Sequence, residues 1–335
     1  MNNQVMPGNQ DFAPIFIIGH PRSGSTLLTS ILGEHSMIAA LPETHFVRSS
    51  LYGGNPIQRW LANSSLEEKI KFIYLNVRLQ DTGVTEGQYL IYCRNKQVDH
   101  RDSAALLQAF LELCRENSGK KLIVEKTPAH IVFAKEIMEW FPNAKMICIV
   151  RDARDAVESL MKVSWTHSNP ARHAVYWAWC VRRAGYLKKE FGERVEIVRY
   201  EDLLSKPEDT LSKLCGFLNL SFEAKMLSDN RAETIVPAWE SGWKTESRSA
   251  LNPASVFRWK KKSESAFVSE ICGYVHKELE MMDYDVVDGF VLNKSIRSRI
   301  RKLMAEVYLY AVLLRNRFFI NTTNRQHFSV PEKQS

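Results

Sequence analysis

Short apolar runs punctuate this chain, and each is followed by residues with helical spacing or by a turn signal. The runs at 15–19, 121–125, 145–150 and 195–199 have strand length and little polar content, so both faces of each are expected to be buried. Apolar positions three and four apart predict helices over 24–34, 66–79, 103–117, 131–140, 153–162, 171–191, 208–218 and 263–282. Phe141-Pro142-Asn143 stops one helix before the next strand. This alternation predicts an α/β fold of three layers, a central parallel sheet flanked by helices. The stretches 41–102 and 229–262 read as insertions over the site, not as separate units.

The segment 294–319 has a different pattern. Arg297, Arg299, Arg301 and Lys302 precede an apolar run from Leu303 to Leu314, and Arg315 and Arg317 follow it. The run is too short to span a bilayer and contains Glu306. A terminal helix packed on the body with a solvated basic face is the preferred reading. A basic amphipathic helix lying on a membrane or a partner is the alternative.

Composition narrows the class without choosing a function. The 335 residues are 45% hydrophobic and 25% charged, as in an ordinary globular protein. The net charge of +7 suits an anionic ligand, acceptor or membrane surface, and is too dispersed to argue for nucleic acid. Six scattered cysteines without a C-x-x-C pair read as buried free thiols, not a disulfide frame or zinc site. Residues 1–12 are polar and lack a signal-peptide pattern, and no apolar stretch reaches the roughly 18 residues of a spanning helix. A cytoplasmic chain is therefore expected, with peripheral membrane contact only through the terminal helix.

The chemistry concentrates between the first strand and the first helix. Gly19-His20-Pro21-Arg22-Ser23-Gly24-Ser25-Thr26 has the strand–loop–helix layout of a phosphate cradle, where amides at a helix N-terminus face an anion. Its spacing matches the P-loop G-x-x-x-x-G-K-[ST] with one break: Ser25 stands in the lysine position. A P-loop-like fold without that lysine points to a phosphate ligand other than a triphosphate.

A second anion signal follows the third strand, in Arg151-Asp152-Ala153-Arg154-Asp155-Ala156-Val157-Glu158-Ser159. Arg151 falls at the carboxyl end of a strand, the edge where open α/β sheets bind ligands. Ser159 shares a helix face with Asp155, so Arg151 and Ser159 are expected to meet across a bound phosphate.

Residues 21–26, the Arg151/Ser159 spacing and Phe257-Arg258-Trp259-Lys260, in that order, resemble the sulfotransferases that use 3′-phosphoadenosine 5′-phosphosulfate (PAPS). The resemblance covers residues 15–262 and is nearest in pattern to tyrosylprotein, carbohydrate and bacterial members. It implies that Arg22, Ser23, Gly24, Ser25 and Thr26 bind the 5′-phosphosulfate and that Arg151 and Ser159 bind the 3′-phosphate. It implies that Tyr200 lies beside the nucleoside and that Asn252 and Arg258 belong to a loop closing over PAPS. Tyrosylprotein-type members carry Lys where Arg258 stands. No metal is expected, because a sulfuryl group carries less negative charge than a phosphoryl group.

The same resemblance makes Glu43 the general base and Lys126 a donor to the bridging oxygen, with Arg22 sharing that role. Pro128 stands where the small-molecule enzymes of the family have a histidine base; His130 and His45 remain as alternatives to Glu43. His20 matches no such position. Residues 13–292 are expected to form the sulfotransferase domain, 293–320 a basic amphipathic helix packed on or extending from it, and 1–12 and 321–335 flexible ends. The acceptor, a small molecule, glycan, lipid or peptide, is expected to be read by 41–102 and 229–250, through Phe46, Tyr52, Trp60, Tyr89, Tyr92, Trp239 and Trp243. Two other readings remain: a kinase or hydrolase with an altered loop, against which stand Ser25 in the lysine position and Arg151 beside Asp152, where an anion suits better than Mg²⁺, and a non-catalytic nucleotide-binding or membrane-surface protein using the basic terminal helix.

Overall fold

The computed structural model describes residues 12–47, 63–228, 251–252, 256–286 and 296–318. Among these, five strands, β1 (Ile15–Gly19), β2 (Ile38–Ala40), β3 (Leu122–Lys126), β4 (Lys145–Val150) and β5 (Val195–Arg199), form one sheet in the order β2-β3-β1-β4-β5. Each pairing is parallel. The helices are α1 (Ser25–Gly33), α2 (Leu66–Asn76), α3 (Glu86–Asn95), α4 (Ser103–Ser118), α5 (Ala134–Trp140), α6 (Ala153–Met161), α7 (Pro170–Phe191), α8 (Tyr200–Ser205), α9 (Pro207–Phe217), α10 (Ala266–Met281) and α11 (Ile296–Phe318).

Strand β1 shows how the sheet is covered. Phe16 and Ile18 enter one core cluster, while Ile15 and Ile17 enter another with Leu27, Leu28 and Ile31 of α1. Alternate residues of a strand face opposite sides, so β1 is buried twice, as its unbroken apolar run predicts. The register pairs Ile17 with Lys126 and Gly19 with Ile149, and Val150 with Arg199. The sheet's carboxyl edge therefore carries the loop after Gly19, Lys126, Arg151 and Tyr200 together.

The expected elements shift for identifiable reasons. The helix expected over 66–79 stops at Asn76, because Val77 is extended and Arg78 N donates to Thr44 O at 3.1 Å. A 3₁₀ turn, Arg78–Thr82, continues from there. The helix expected over 131–140 begins as a 3₁₀ turn, Pro128–Phe133, and becomes α-helical at Ala134. Three elements are additional: β2, α3 and α8. The capping boxes Ser65/Glu68 and Thr85/Gln88 mark the starts of α2 and α3, and both are readable in sequence.

All six cysteines are buried and free, and burial pushes the thiols of Cys93, Cys114 and Cys148 up to about 12. Helix α11 packs on α7, with Ala305 and Leu309 buried in a core cluster shared with α7 and α10. Among the described residues, no helix is long and apolar enough to cross a membrane.

Candidate active site

The turn from β1 into α1 depends on two glycines. Gly19 adopts φ 148, and a Cβ there would lie 2.4 Å from Ile149 O. Gly24, the N-cap of α1, adopts φ 92, and its Cβ would lie 2.2 Å from the Tyr200 ring. A side chain at either position meets atoms that have no room to move, so the sequence keeps glycine. Between them Arg22 holds a left-handed backbone at φ 67, uncommon for a residue with a Cβ. The first amides of α1 have no preceding helical carbonyl to bond, and they open toward the sheet's carboxyl edge.

Residues distant in sequence converge on this loop. Arg22 Nε donates to Ser159 Oγ of α6 at 3.2 Å. Lys126, buried at the end of β3, donates from Nζ to Glu43 Oε1 at 2.8 Å and to Thr26 Oγ1 at 3.4 Å. His45 Nε2 lies 3.3 Å from the other oxygen of Glu43. Arg151 lies over the Tyr200 ring, 4.5 Å from its centroid, and 3.8 Å from Asp155. Ser159 therefore meets Arg22 directly, and Arg151 stands over Tyr200.

These residues suit a phosphorylated donor. The Ser23 hydroxyl is buried and has no hydrogen-bond partner among the described residues, an acceptor- and donor-bearing group left for a ligand. Three cations, Arg22, Lys126 and Arg151, stand at the sheet edge that carries this loop, with Lys126 reaching Thr26 and Arg151 lying over Tyr200. Asp152 has a different job. Its Oδ1 accepts from Arg154 N and Nε at 2.9 and 2.8 Å, and its Oδ2 from Arg154 Nη2 and Trp259 Nε1 at 2.6 and 3.0 Å. A carboxylate so engaged caps α6 and does not present oxygens to a metal ion.

A model of the sulfotransferase family matches residues 14–224. The chain belongs to the sulfotransferase family. A protein-tyrosine sulfotransferase of Drosophila melanogaster is 27% identical over 233 residues, which are 68% of this chain and 42% of that protein. An uncharacterized protein of Aquifex aeolicus is 25% identical over 303 residues, 86% of this chain and 36% of that one. The chain thus spans less than half the length of either relative. Among solved structures, the sulfotransferase domain of the Synechococcus PCC 7002 olefin synthase superposes with a TM-score of 0.60 at 21% identity, covering 82% of this chain and 97% of that one. The sulfotransferase domain from the curacin biosynthetic pathway gives 0.54 at 23% identity, covering 82% and 99%. Both share the three-layer parallel-sheet fold.

Two carboxylates that sequence reading left unassigned organise this edge of the sheet. Glu125, fully buried in β3, accepts from Thr44 Oγ1 at 2.8 Å and Thr127 Oγ1 at 2.6 Å, and pairs with His130 Nδ1 at 3.1 Å. Burial pushes its carboxyl up, but the His130 charge and the hydrogen bonds from His130, Thr127 and Thr44 hold it below the ordinary range. Thr44 adjoins Glu43 and Thr127 adjoins Lys126, so one carboxylate sets both chains that carry the pair. Asp155 accepts from Arg258 N at 3.0 Å and Trp259 N at 2.9 Å, fastening the 3₁₀ turn Arg258–Lys262 to α6 beside Arg151. Burial pushes the Asp155 carboxyl up, opposed by Arg151 and those two amides. An acid inside an apolar strand, with Thr two residues on and His five on, was the available signal for Glu125.

The remaining expected residues differ in exposure and partners. His130 is buried against Glu125, whereas the side chains of Glu43 and His45 keep 18% and 27% exposure. His20 is buried with neither ring nitrogen hydrogen-bonded among the described residues, and burial, reinforced by His173, pushes its imidazole down to about 3. Asn252 is exposed and Arg258 half-buried. Phe46, Tyr89 and Tyr92 do not form an acceptor wall: all three are core residues, and Tyr89 donates to Leu106 O at 2.7 Å because α3 packs on α4. Tyr52, Trp60, Trp239 and Trp243 lie outside the described residues.

Proposed function

We propose that this protein moves the sulfuryl group of PAPS to a hydroxyl or amine acceptor by in-line displacement, with Glu43 as general base. The observation that carries this reading is Lys126 Nζ, held between Glu43 at 2.8 Å and Thr26 at 3.4 Å. One ammonium thereby joins the acceptor-side carboxylate to the donor-side loop. PAPS supplies an activated sulfuryl group beside a phosphate that leaves; the chain supplies binding, alignment and proton removal.

Ser23, Gly24, Ser25 and Thr26 bind the 5′ end through amides and hydroxyls. Arg151 and Ser159 hold the 3′-phosphate, with Arg22 reaching Ser159 from the loop. Tyr200 faces the nucleoside, and Asn252 and Arg258 complete the enclosure. Glu43 accepts the acceptor's proton on its carboxylate, in reach of solvent and substrate. Lys126 steadies negative charge on the oxygen left behind. The domain that does this spans residues 13–292, followed by the helix at 293–320. The name of the Drosophila relative makes a tyrosine-containing peptide the first acceptor to try, followed by glycans, lipids and small metabolites.

Calorimetry tests the reading. Adenosine 3′,5′-bisphosphate binds in the presence of EDTA and ATP with Mg²⁺ does not; the reverse preference overturns the assignment. Labelled PAPS with an acceptor panel then identifies the substrate.

A further inference from the structure

Helix α11 is apolar on two sides. Ala305 and Leu309 are buried against the body, and Leu313 packs partly into the same cluster. The outward side carries Ile296, Ile300, Leu303, Val307 and Leu314, with Met304 and Tyr310 flanking, and these are between 51% and 76% exposed. Positions 296, 300, 303, 307, 310 and 314 follow the spacing of one helix face. The stripe is about 27 Å long at 1.5 Å per residue. A monomer in water gains nothing from such a contiguous exposed stripe, which marks an interaction surface.

Charge selects what covers it. Between 296 and 318 the sequence carries arginine at 297, 299, 301, 315 and 317 and lysine at 302. Arg299 and Arg301 are exposed. Glu306 is the one acid between 296 and 318. A second copy of the chain paired through this face brings two strongly basic helices together, which is repulsive. An anionic bilayer instead takes the apolar stripe into its acyl boundary and exposed cations such as Arg299 and Arg301 at its headgroups. An exposed tryptophan lies close by: Trp165 is 56% exposed, two residues from His167, whose ring meets Tyr308 of α11 at 6.2 Å. Indoles favour the same headgroup depth.

We propose that the outward face of α11 docks the protein on an anionic phospholipid surface, the helix lying in the interface plane. The inner face keeps its contacts with the body. These include Lys302 Nζ to Tyr274 O at 2.8 Å and the Arg172 guanidinium over the Tyr308 ring at 3.8 Å. Docking therefore needs no refolding.

Cosedimentation of the full chain with vesicles tests this independently of the sulfotransferase reading. The protein is expected to bind vesicles of phosphatidylglycerol and phosphatidylcholine, to bind pure phosphatidylcholine at least tenfold more weakly, and to release at high salt. Leu303→Glu with Val307→Glu is expected to lower binding to the anionic vesicles by roughly a hundredfold, about tenfold per exposed apolar position. Its thermal midpoint and its affinity for adenosine 3′,5′-bisphosphate should not change. Absent binding to anionic vesicles overturns the proposal, as does binding that the double variant leaves intact. A wild-type dimer that the double variant dissociates, seen by sedimentation velocity, overturns it in favour of a second copy.

Discussion

The ammonium of Lys126 sits 2.8 Å from the carboxylate of Glu43, although 83 residues separate them in sequence. The pairing joins the end of β3 to the segment that follows β2, and it places a proton acceptor and a cation at one point on the sheet edge. Glu43→Gln keeps the shape and removes the proton acceptor. It is expected to lower turnover by about 10²–10⁴-fold. Affinity for adenosine 3′,5′-bisphosphate should stay within a few-fold. Single-turnover transfer and calorimetry check both halves, and full activity in the variant removes Glu43 from the base role.

Arg151 stands on the same edge, over the Tyr200 ring. Replacing it with alanine removes a buried charged partner and is expected to cost about 1.5–3 kcal/mol of bisphosphate binding, roughly 10- to 150-fold in Kd. Binding that stays unchanged in calorimetry means the 3′-phosphate is held elsewhere.

Gly24 lies against Tyr200 with no space for a methyl group. Gly24→Ala combines a strained φ with a clash, and about 1–3 kcal/mol of stability is expected to be lost from the backbone alone. Adding Tyr200→Ala removes the clash but not the strain. The double variant should therefore recover part, not all, of the loss caused by Gly24→Ala in a urea titration, after the cost of Tyr200→Ala alone is subtracted.

Glu125→Ala removes the acceptor shared by Thr44, Thr127 and His130. Breaking this buried pair is expected to cost about 3–5 kcal/mol. Glu125→Gln keeps the shape and should lose less stability while still lowering kcat, because Thr44 and Thr127 set the chains that carry Glu43 and Lys126. A loss of stability with kcat unchanged in the folded fraction separates a purely structural role from a positioning one.

His20 gives the acid limb a defined sign. Its folded value of about 3 lies below the ordinary 6.5, so between these values the unfolded chain binds a proton that the folded chain refuses. Stability is therefore full above about pH 6.5 and falls as pH is lowered toward 3, by at most about 1.4 kcal/mol per unit from this residue. Urea midpoints at pH 7 and pH 5 should differ less in His20→Leu than in the parent chain.

Much of this architecture was legible in the chain. The four longer strands announced themselves because each is buried on both faces and so is unbroken in hydrophobicity. Strand β2 escaped because three residues carry no period. The placing of the loop and Arg151 at the sheet's carboxyl edge was readable from their position after apolar strands. The contact of Ser159 with Arg22 was not, because it is made by how α6 docks on the loop. Phe46, Tyr89 and Tyr92 misled because an aromatic side chain packing a helix pair and one lining a ligand groove have the same letter. Glu125 and Asp155 stayed hidden for a related reason. A carboxylate that organises neighbours is distinguished by where its oxygens point, which one strand or helix does not reveal.

Asp155 holds the turn at Arg258–Lys262 through two main-chain amides, not through the side chain of Arg258. Any residue except proline offers the same amide. The turn's address is thus independent of what position 258 displays, and evolution can exchange one long cation for another there without moving the segment. A change of side chain at 258 is then a retuning of reach and hydrogen-bond number on an unchanged mount.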